Sequence, residues 1–273
     1  MSAPELPWWR ASPTRRQASL CLLLLPGLIV QTLKLDPELL RRGGALLLIG
    51  IILALVAHAA TRRSPVHPLF TQLLSAAHLA LLLAALWPVA APWWPLITGM
   101  TIAWCVAMSL GGSATNPLPP TLLAWCVAMS LARFAYAISF DPPLISLLDA
   151  LWVAGAWLLG GLIAAGLKLT SFRALLAFTL PAALAWLSGG IASTALIVAA
   201  VLGAHVVSER RFLPAGSTGQ IALAALAGLA TAIIWMNGAA PLACVFVVLG
   251  LYGLSPWIEQ RTVAARRPRA GHP

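Results

Sequence analysis

The chain has 273 residues, of which 60% are hydrophobic and only 9% are charged, and its mean hydropathy is +0.91. Soluble domains contain about 45 to 50% apolar and about 25% charged residues, so the composition excludes a soluble globular protein and indicates an integral protein of the lipid bilayer. The net charge of +10 does not indicate a nucleic-acid partner, because the arginines lie at the chain ends and in short segments between apolar runs, where the cytoplasmic loops of membrane proteins collect them.

Apolar runs that are long enough to cross a bilayer follow one another along the chain. They predict an all-α integral membrane protein with about ten transmembrane helices, near residues 17–33, 44–60, 68–87, 93–111, 118–137, 144–168, 173–188, 190–206, 217–236 and 238–256. Pro and Gly clusters separate the runs. The first run follows Arg15 and Arg16 and lacks a convincing small-residue cleavage site, so we interpret it as a membrane helix and not as a signal peptide.

Basic residues predict the orientation, because positive residues are retained on the cytoplasmic side of a membrane. With ten spans, one side of the membrane receives the basic clusters at residues 10–16, 62–63, 168–173, 210–211 and 261–269. The exception is the first loop, where Lys34, Arg41 and Arg42 would face outward. We therefore predict a multi-pass protein of the bacterial inner membrane with both termini in the cytoplasm.

The same pattern predicts the domain organisation. Residues 1–16 form a cytoplasmic N-terminal segment, residues 17–258 a single polytopic membrane domain, and residues 259–273 a basic cytoplasmic tail. Five spans precede the outer loop at Asp141-Pro142-Pro143 and five follow it. Because an odd number of spans per half would make two related halves inverted, we predict two inverted five-helix halves, at about 17–140 and 141–258.

The octapeptide AWCVAMSL occurs twice, at residues 103–110 and 124–131. Each copy places a Cys and a Met three residues apart, on one face of a helix. The two pairs are Cys105 with Met108 and Cys126 with Met129. Two thiolates and two thioethers would suit Cu(I), so these four residues are an alternative metal site. Cys, Met, Ala and Ser are also packing residues of membrane helices, and a local duplication without a role would give the same pattern.

Ionisable residues inside the apolar runs are few. We expect His67 and His78 to flank one span. His58 and His205 fall near predicted helix ends, and the spacings of the four histidines form no ligand pair. An ionisable residue within a membrane is nonetheless a functional candidate by default. Asp149 lies within an apolar run, either as a helix-start carboxylate or as a buried anchor for a cofactor or ion.

The segment APWWPLITGMTIAWCVAMSLGGSATNPLPPTLLAW resembles the RnfD and NqrB membrane subunits, in which a Pro-Trp-Trp helix start is followed by a double glycine, an Asn-Pro pair and a further Pro. The corresponding residues are Pro92, Trp93, Trp94, Gly111, Gly112, Asn116, Pro117 and Pro120. Three later segments resemble the same family, namely LSGG at 187–190, the polar loop VSERRFLPAGSTGQ at 207–220, and the last helix with its basic tail at 241–267. The order and spacing of these motifs carry the resemblance.

The resemblance implies a ten-helix, flavin-binding subunit of an ion-pumping redox complex. Family members typically carry FMN on a Thr in a Ser-Gly-Ala-Thr-Pro motif after the fifth helix. The matching segment here, residues 133–152, contains no Thr, so covalent FMN is not expected, and we do not assign it to Thr115. A non-covalent flavin, either FMN or riboflavin, could lie against two helix breaks whose glycines let the backbone come close to a ring or phosphate. The predicted cofactor-binding residues are Gly111, Gly112, Thr115, Asn116, Ser188, Gly189 and Gly190.

These features leave three functions open. The first is a membrane subunit of an RnfD-like and NqrB-like electron transport complex, which transfers electrons or supports coupled ion translocation beside other membrane subunits. The second is a small-solute or ion transporter or channel on the same scaffold, because a fold does not fix a function. The third is a copper-handling membrane protein that uses the Cys-Met pairs. GxSxG, HExxH and P-loop motifs are absent from the sequence, so a self-contained hydrolase or ATPase is not expected.

Overall fold

The computed structural model describes residues 13–60, 69–87, 93–109, 120–136, 145–208, 216–239 and 243–254. Within these ranges every regular element is a helix. The helices are α1 (Pro13–Leu22), α2 (Leu25–Lys34), α3 (Leu39–Ala60), α4 (Leu69–Leu86), α5 (Trp94–Ser109), α6 (Pro120–Tyr136), α7 (Leu147–Gly166), α8 (Phe172–Leu187), α9 (Ser193–Leu202), α10 (Gly216–Met236) and α11 (Cys244–Gly253). A π-helical segment, Gly203–Val207, continues α9 without a break.

The helices confirm the predicted class, an all-α membrane protein. With α1 joined to α2 and α9 joined to the π segment, the described residues form ten helical segments. Five segments have the length and hydropathy of membrane spans, namely Thr14–Lys34, Leu39–Ala59, Leu69–Leu86, Leu147–Gly166 and Gly219–Met236. The other segments are shorter apolar helices. How many of them cross the bilayer stays a prediction.

Large apolar side chains cover the outside of the helices. Leu33, Leu40 and Leu187 are 78%, 68% and 72% exposed. In water such a surface would be strongly unfavourable, because large apolar side chains would remain in contact with solvent. The same surface is stable in lipid, where helices that are apolar on all sides belong.

The first predicted span is broken in the middle. Helix α1 ends at Leu22, a turn follows at Leu23 and Leu24, and α2 begins at Leu25. Pro26 lies in the first turn of α2 and has no N–H group, so it cannot donate the helical hydrogen bond to the carbonyl of Leu22. The sequence thus places a helix interruption inside one apolar run.

The basic residues of the first loop are paired with carboxylates. Helix α3 begins at Leu39, earlier than the predicted residue 44, and so includes two arginines. The ion pairs are Lys34 Nζ with Asp149 Oδ1 at 3.4 Å, Arg41 Nη1 with Glu38 Oε2 at 3.4 Å, and the buried pair of Arg42 with Asp36. This pairing offsets the positive charge that made the loop an exception to the orientation rule, and the orientation itself stays a prediction.

Helix packing joins neighbouring and distant segments. Within each series of five, α3 packs against α4, α5 against α6, and α8 against α10. Between the two series, α2 packs against α7, α4 against α9, and α6 against α11. In these three pairs, the first segment of one series packs against the first segment of the other, the third against the third, and the fifth against the fifth. Two halves related by an axis would bring such matching segments together, so the packing is consistent with the inverted halves, which stay a prediction.

Candidate functional site

The predicted flavin-binding residues fall in two places. Gly111, Gly112, Thr115 and Asn116 lie outside the described residues. Ser188, Gly189 and Gly190 form the turn that ends α8, and the backbone of Gly189 is left-handed, with φ of 75°. Only the second group can therefore be compared with the structure.

The turn after α8 uses its own hydrogen-bond donors. The backbone N–H groups of Ser188, Gly189 and Gly190 donate to carbonyls of the last turn of α8, at 3.1, 2.8 and 3.0 Å. The Ser188 hydroxyl donates to the Ala185 carbonyl at 2.7 Å. Such bonds satisfy the carbonyls that a helix end leaves without partners. These groups are thus engaged and do not face a flavin phosphate, so a flavin at this turn would contact the glycines themselves.

The two octapeptide copies differ in their surroundings. Cys105 on α5 is exposed, whereas Cys126 and Met129 on α6 are buried. The side chain of Met108 lies outside the described residues. In the part of the chain that the structure describes, no group of three or more His, Cys, Asp or Glu side chains could hold a metal ion. The two thiols of the alternative copper site therefore differ in exposure.

The second octapeptide copy packs against α5 through small residues. A Cβ placed on Gly99 would overlap the carbonyl of Ala124 and lie 3.1 Å from the Cβ of Ala128. The ring of Trp125 lies 5.5 Å from that of Trp87, measured between centroids. Small residues at a helix contact let two membrane helices approach closely. These contacts support the packing interpretation of this copy.

Asp149 lies at the start of α7. Ser146 precedes the helix, and its hydroxyl oxygen accepts a hydrogen bond from the backbone N–H of Asp149 at 3.1 Å. The same hydroxyl donates to Asp149 Oδ2 at 2.6 Å, and Lys34 pairs with the other carboxylate oxygen. This is the helix-start carboxylate, the first of the two interpretations of this residue.

Buried polar side chains meet where α2, α4 and α7 pack together. Gln31 on α2 donates from Nε2 to the Ala85 carbonyl on α4 at 2.7 Å. Its Oε1 accepts from Nε1 of Trp157 on α7 at 2.9 Å. Both polar ends of this buried amide are therefore hydrogen-bonded, which offsets the cost of its burial. One glutamine side chain thus joins three helices.

His205 lies beside Trp157, in the π segment. The two rings meet edge to face, with centroids 5.4 Å apart and an interplanar angle of 75°. His205 is 3% exposed, and neither ring nitrogen has a hydrogen-bond partner among the described residues, although the Trp157 carbonyl lies nearby. His78 on α4 is also buried and is close enough to interact electrostatically with His205. We call Gln31, Trp157, His205 and His78 the buried polar network.

One of these two histidines differs from its predicted position. His78 was expected to flank a span but lies in the middle of α4. His205 was expected near a helix end, and it lies, buried, in the last turn of the helix that continues from α9 into the π segment and ends at Val207. The predicted flanking position of His78 is therefore wrong. The error arose because the sequence of a uniformly apolar helix does not show which of its turns faces the protein interior.

Glycines bring the backbone close to the rings of the network. A Cβ on Gly27 of α2 would overlap the indole ring of Trp157. A Cβ on Gly160 of α7 would overlap the Leu23 carbonyl and lie 3.4 Å from Cε1 of His205. The interruption of the first span therefore contacts α7 directly at this point, and side chains larger than glycine do not fit there without displacement.

The end of the π segment is tied to three other helices. The Ser208 carbonyl accepts hydrogen bonds from the N–H of Ser171 at 2.9 Å and from Nε2 of Gln220 at 3.2 Å. The Val207 carbonyl accepts from the hydroxyl of Tyr252 at 3.1 Å. A π-helical turn is rare and frequently marks a functional site. Here it orients His205 toward Trp157, and α8, α10 and α11 hold its end in place.

Sequence reasoning missed Gln31 and Trp157. The available signal was the presence of a side-chain amide inside the first apolar run, since polar residues within a membrane are usually paired or functional. The partner of Gln31 was not predictable, because Trp157 is 126 residues away along the chain. The network becomes visible only when α2 and α7 are placed side by side.

The fold and the network define a class, a polytopic helical membrane protein with hydrogen-bonded and ionisable side chains between its helices. Over residues 6–153 the chain matches the NQR2, RnfD, RnfE family. This match covers more than half of the chain, and the chain belongs to this family. The predicted identity as an RnfD/NqrB-family membrane subunit is thereby confirmed. No curated protein matches the chain.

Proposed function

We propose that this chain is an integral subunit of an Rnf/Nqr-type electron transport complex in the bacterial inner membrane. There it transfers electrons or supports coupled ion translocation, without covalent FMN. The observation that carries the proposal is the family match over residues 6–153. Family membership implies a membrane subunit that works with others, and the proposal adds the redox role.

The buried polar network supports this proposal over a purely structural role. Polar and ionisable side chains inside a membrane are costly and commonly mark paths for ions or protons. Gln31, Trp157 and His205 come from three different helical segments and meet through a hydrogen bond and a ring contact.

A non-covalent flavin, FMN or riboflavin, belongs to the same proposal. When bound, it would supply one-electron carrier chemistry, while the protein supplies position. The segment 133–152 has no Thr for a phosphoester bond. Because the N–H groups of the turn at 188–190 are engaged, contacts to a flavin phosphate would come from the other predicted break, with Thr115 and Asn116.

The test is isolation of the tagged chain from its native membranes in mild detergent, with the untagged strain as the control. We expect other membrane subunits and a module with flavin and iron–sulfur absorbance to co-purify. Deletion of the gene should abolish the electron flow that this assembly supports. A chain that purifies alone, in a strain whose deletion leaves electron flow unchanged, would overturn the proposal.

The same isolation decides between the alternatives. A colourless, metal-free chain whose deletion changes uptake of a small solute would favour a transporter or channel on this scaffold. Copper bound in a fixed ratio to the purified chain would favour the copper-handling function.

A further inference from the structure

We propose that one end of the helix bundle binds the phosphate group of an anionic phospholipid. The site lies where the start of α1 meets the turn between α7 and α8, on the side that is predicted to face the cytoplasm. Its cationic side chains are Arg15 and Arg16 on α1, Lys168 in the turn and Arg173 on α8, and we call them the basic cluster. The inference does not depend on the redox role proposed above.

A hydrogen bond joins the two parts of the basic cluster. Nη2 of Arg16 donates to the carbonyl of Leu169 at 3.3 Å, although the two residues are 153 positions apart. Side chains of α1, α7 and the turn also form a small apolar core of their own. Lys168 directly precedes Leu169, and Arg173 follows in the first turn of α8. Cations from distant parts of the chain thus lie at one end of the bundle.

The described carboxylates all lie at the opposite end of the same helical segments. Asp36 and Glu38 follow α2, Asp149 lies in the first turn of α7, and each of the three pairs with a cation there. The basic cluster lies at the start of α1 and beyond the end of α7, which are the other ends of these segments. Within the described ranges, the basic end therefore has cations but no carboxylate of its own.

Both helices that begin at the basic end carry cations where a helix favours anions. The N-terminal end of a helix has a partial positive charge, because its first N–H groups have no partner within the helix. Arg15 and Arg16 lie in the first turn of α1 and Arg173 in that of α8, and neither turn contains an acidic residue. Helix α7, which begins at the opposite end, has Asp149 in its first turn. A bound anion would interact favourably with both helix ends and with the cations.

A phosphate group suits the donors of the basic cluster. A guanidinium has five N–H donors in a planar fork, so Arg16 can bind the Leu169 carbonyl and an anion at the same time. The bond to Leu169 also holds the guanidinium at the turn, so less side-chain freedom is lost when an anion binds. Lys168 ends α7 with a left-handed backbone, φ of 57°, in a position that glycine usually takes. Its exposed ammonium adds a cation from the turn itself.

The basic cluster borders the surface that faces lipid. Thr14 begins one candidate membrane span and Gly166 ends another, so the cations lie at span ends, where the phosphate groups of a bilayer are found. Large apolar side chains are exposed beside the cluster, namely Ile163 on α7 and Phe172 and Leu176 on α8. A phospholipid can place its phosphate at the cations and its acyl chains along this surface. Free phosphate would gain only the first of these contacts.

The direct test is native mass spectrometry of the full chain in mild detergent, titrated with phosphatidylglycerol. The mass of each adduct identifies the bound lipid. We expect phosphatidylglycerol to bind about tenfold or more tightly than phosphatidylcholine with the same acyl chains, because the choline cation offsets the phosphate charge. Inorganic phosphate is the probe for a free anion, and we expect it to bind more weakly and to leave the lipid in place.

A matched pair of variants locates the bound lipid. K168Q/R173Q removes two exposed cations of the basic cluster and should weaken phosphatidylglycerol binding by about 25-fold, since each basic residue near an anionic lipid contributes about fivefold in affinity. K34Q/R41Q removes two exposed cations at the opposite end and changes the net charge equally, so it should leave the affinity unchanged. R16Q should weaken binding in the same direction as K168Q/R173Q.

The proposal is wrong if the two double variants bind phosphatidylglycerol equally, or if phosphatidylcholine binds the wild type as tightly as phosphatidylglycerol does. Displacement of the lipid by inorganic phosphate would assign the basic cluster to a free anion and overturn the lipid assignment. R16Q compared with R41Q provides a second matched pair should a double variant fail to fold, as judged by size-exclusion chromatography.

A second measurement tests whether a protein occupies the basic cluster instead. In native membranes a carbodiimide joins the ammonium of Lys168 to any carboxylate that contacts it. We expect no other subunit to be joined at Lys168, and a cross-link to an acidic side chain of another subunit would overturn the lipid assignment. The lipid titration uses the isolated chain, so its result stands apart from whether the chain takes part in electron transport.

Discussion

The octapeptide repeat and the buried polar network present opposite relations between sequence and structure. The repeat is conspicuous in the sequence, yet its two cysteines lie in different surroundings, Cys105 exposed and Cys126 buried. The network has no motif, yet Gln31, Trp157 and His205 meet through hydrogen bonds and ring contacts from distant parts of the chain. In this membrane protein, a polar residue inside an apolar run predicts a contact between distant helices better than similarity between short segments does.

The largest effect on stability is expected when the buried ion pair between Arg42 and Asp36 is broken. This pair lies beside the network, because the Asp36 backbone N–H donates to the Gln31 carbonyl at 3.0 Å. Arg42→Gln leaves the buried carboxylate of Asp36 without its partner, which should lower the free energy of unfolding by about 3 to 5 kcal/mol. Arg41→Gln breaks an exposed pair and should cost about 1 kcal/mol or less. Detergent-unfolding measurements of both variants check this, and equal effects would contradict the burial of charge.

The next effect tests the close packing around the rings. Gly160→Ala places a methyl group against the Leu23 carbonyl and His205, and we expect a loss of about 1 to 3 kcal/mol in the free energy of unfolding. Gly155→Ala on the same helix is the matched control, because its Cβ would meet no atom within 4 Å. If the two substitutions behaved alike, the backbone at Gly160 would lack the close contacts with Leu23 and His205 that the structure shows.

A smaller effect is expected from the indole hydrogen bond. Trp157→Phe keeps an aromatic ring but removes the donor to Gln31, so a buried amide oxygen loses its partner at a cost of about 1 to 2 kcal/mol. Trp152→Phe, whose ring is 60% exposed on the same helix, should change stability little. Unfolding curves of the two variants provide the measurement, and a neutral Trp157→Phe would show that the hydrogen bond contributes nothing.

The smallest effect concerns the repeat itself. Cys105→Ser should change the free energy of unfolding by about 0.5 kcal/mol or less, since the side chain is exposed. Cys126→Ser places a hydroxyl in a buried apolar position and should cost about 1 kcal/mol. Metal analysis of the wild type and both variants completes the comparison. Copper bound by the wild type and lost in both variants would reverse the comparison and make the repeat the functional region.

The fold class could be predicted because long apolar runs have no stable alternative to membrane helices. Their ends were harder to predict. Helix α3 starts at Leu39 and not at residue 44, because pairing with carboxylates allows Arg41 and Arg42 to lie in the helix. The break at Leu23 and Leu24 was also missed, since composition over a long window conceals a single interruption.

The candidate site could be predicted only in part. The helix-start role of Asp149 was one of two interpretations, because an acidic residue in a first turn has a local cause. The network depends on which faces of α2, α4 and α7 meet, and local sequence does not contain that information. His78 illustrates the difference, because its chemistry was noted whereas its place in the middle of a buried helix was not.

The measurement that tests the central claim most directly is the absorbance spectrum of the chain purified from its native membranes, taken before and after denaturation. We predict flavin absorbance that is released to the soluble fraction on denaturation, with no fluorescence remaining on the chain in a denaturing gel. Thr115→Ala is the control for a covalent bond and should leave the gel result unchanged. A colourless chain would contradict a redox subunit, and fluorescence that persists in the wild type would contradict the absence of covalent FMN.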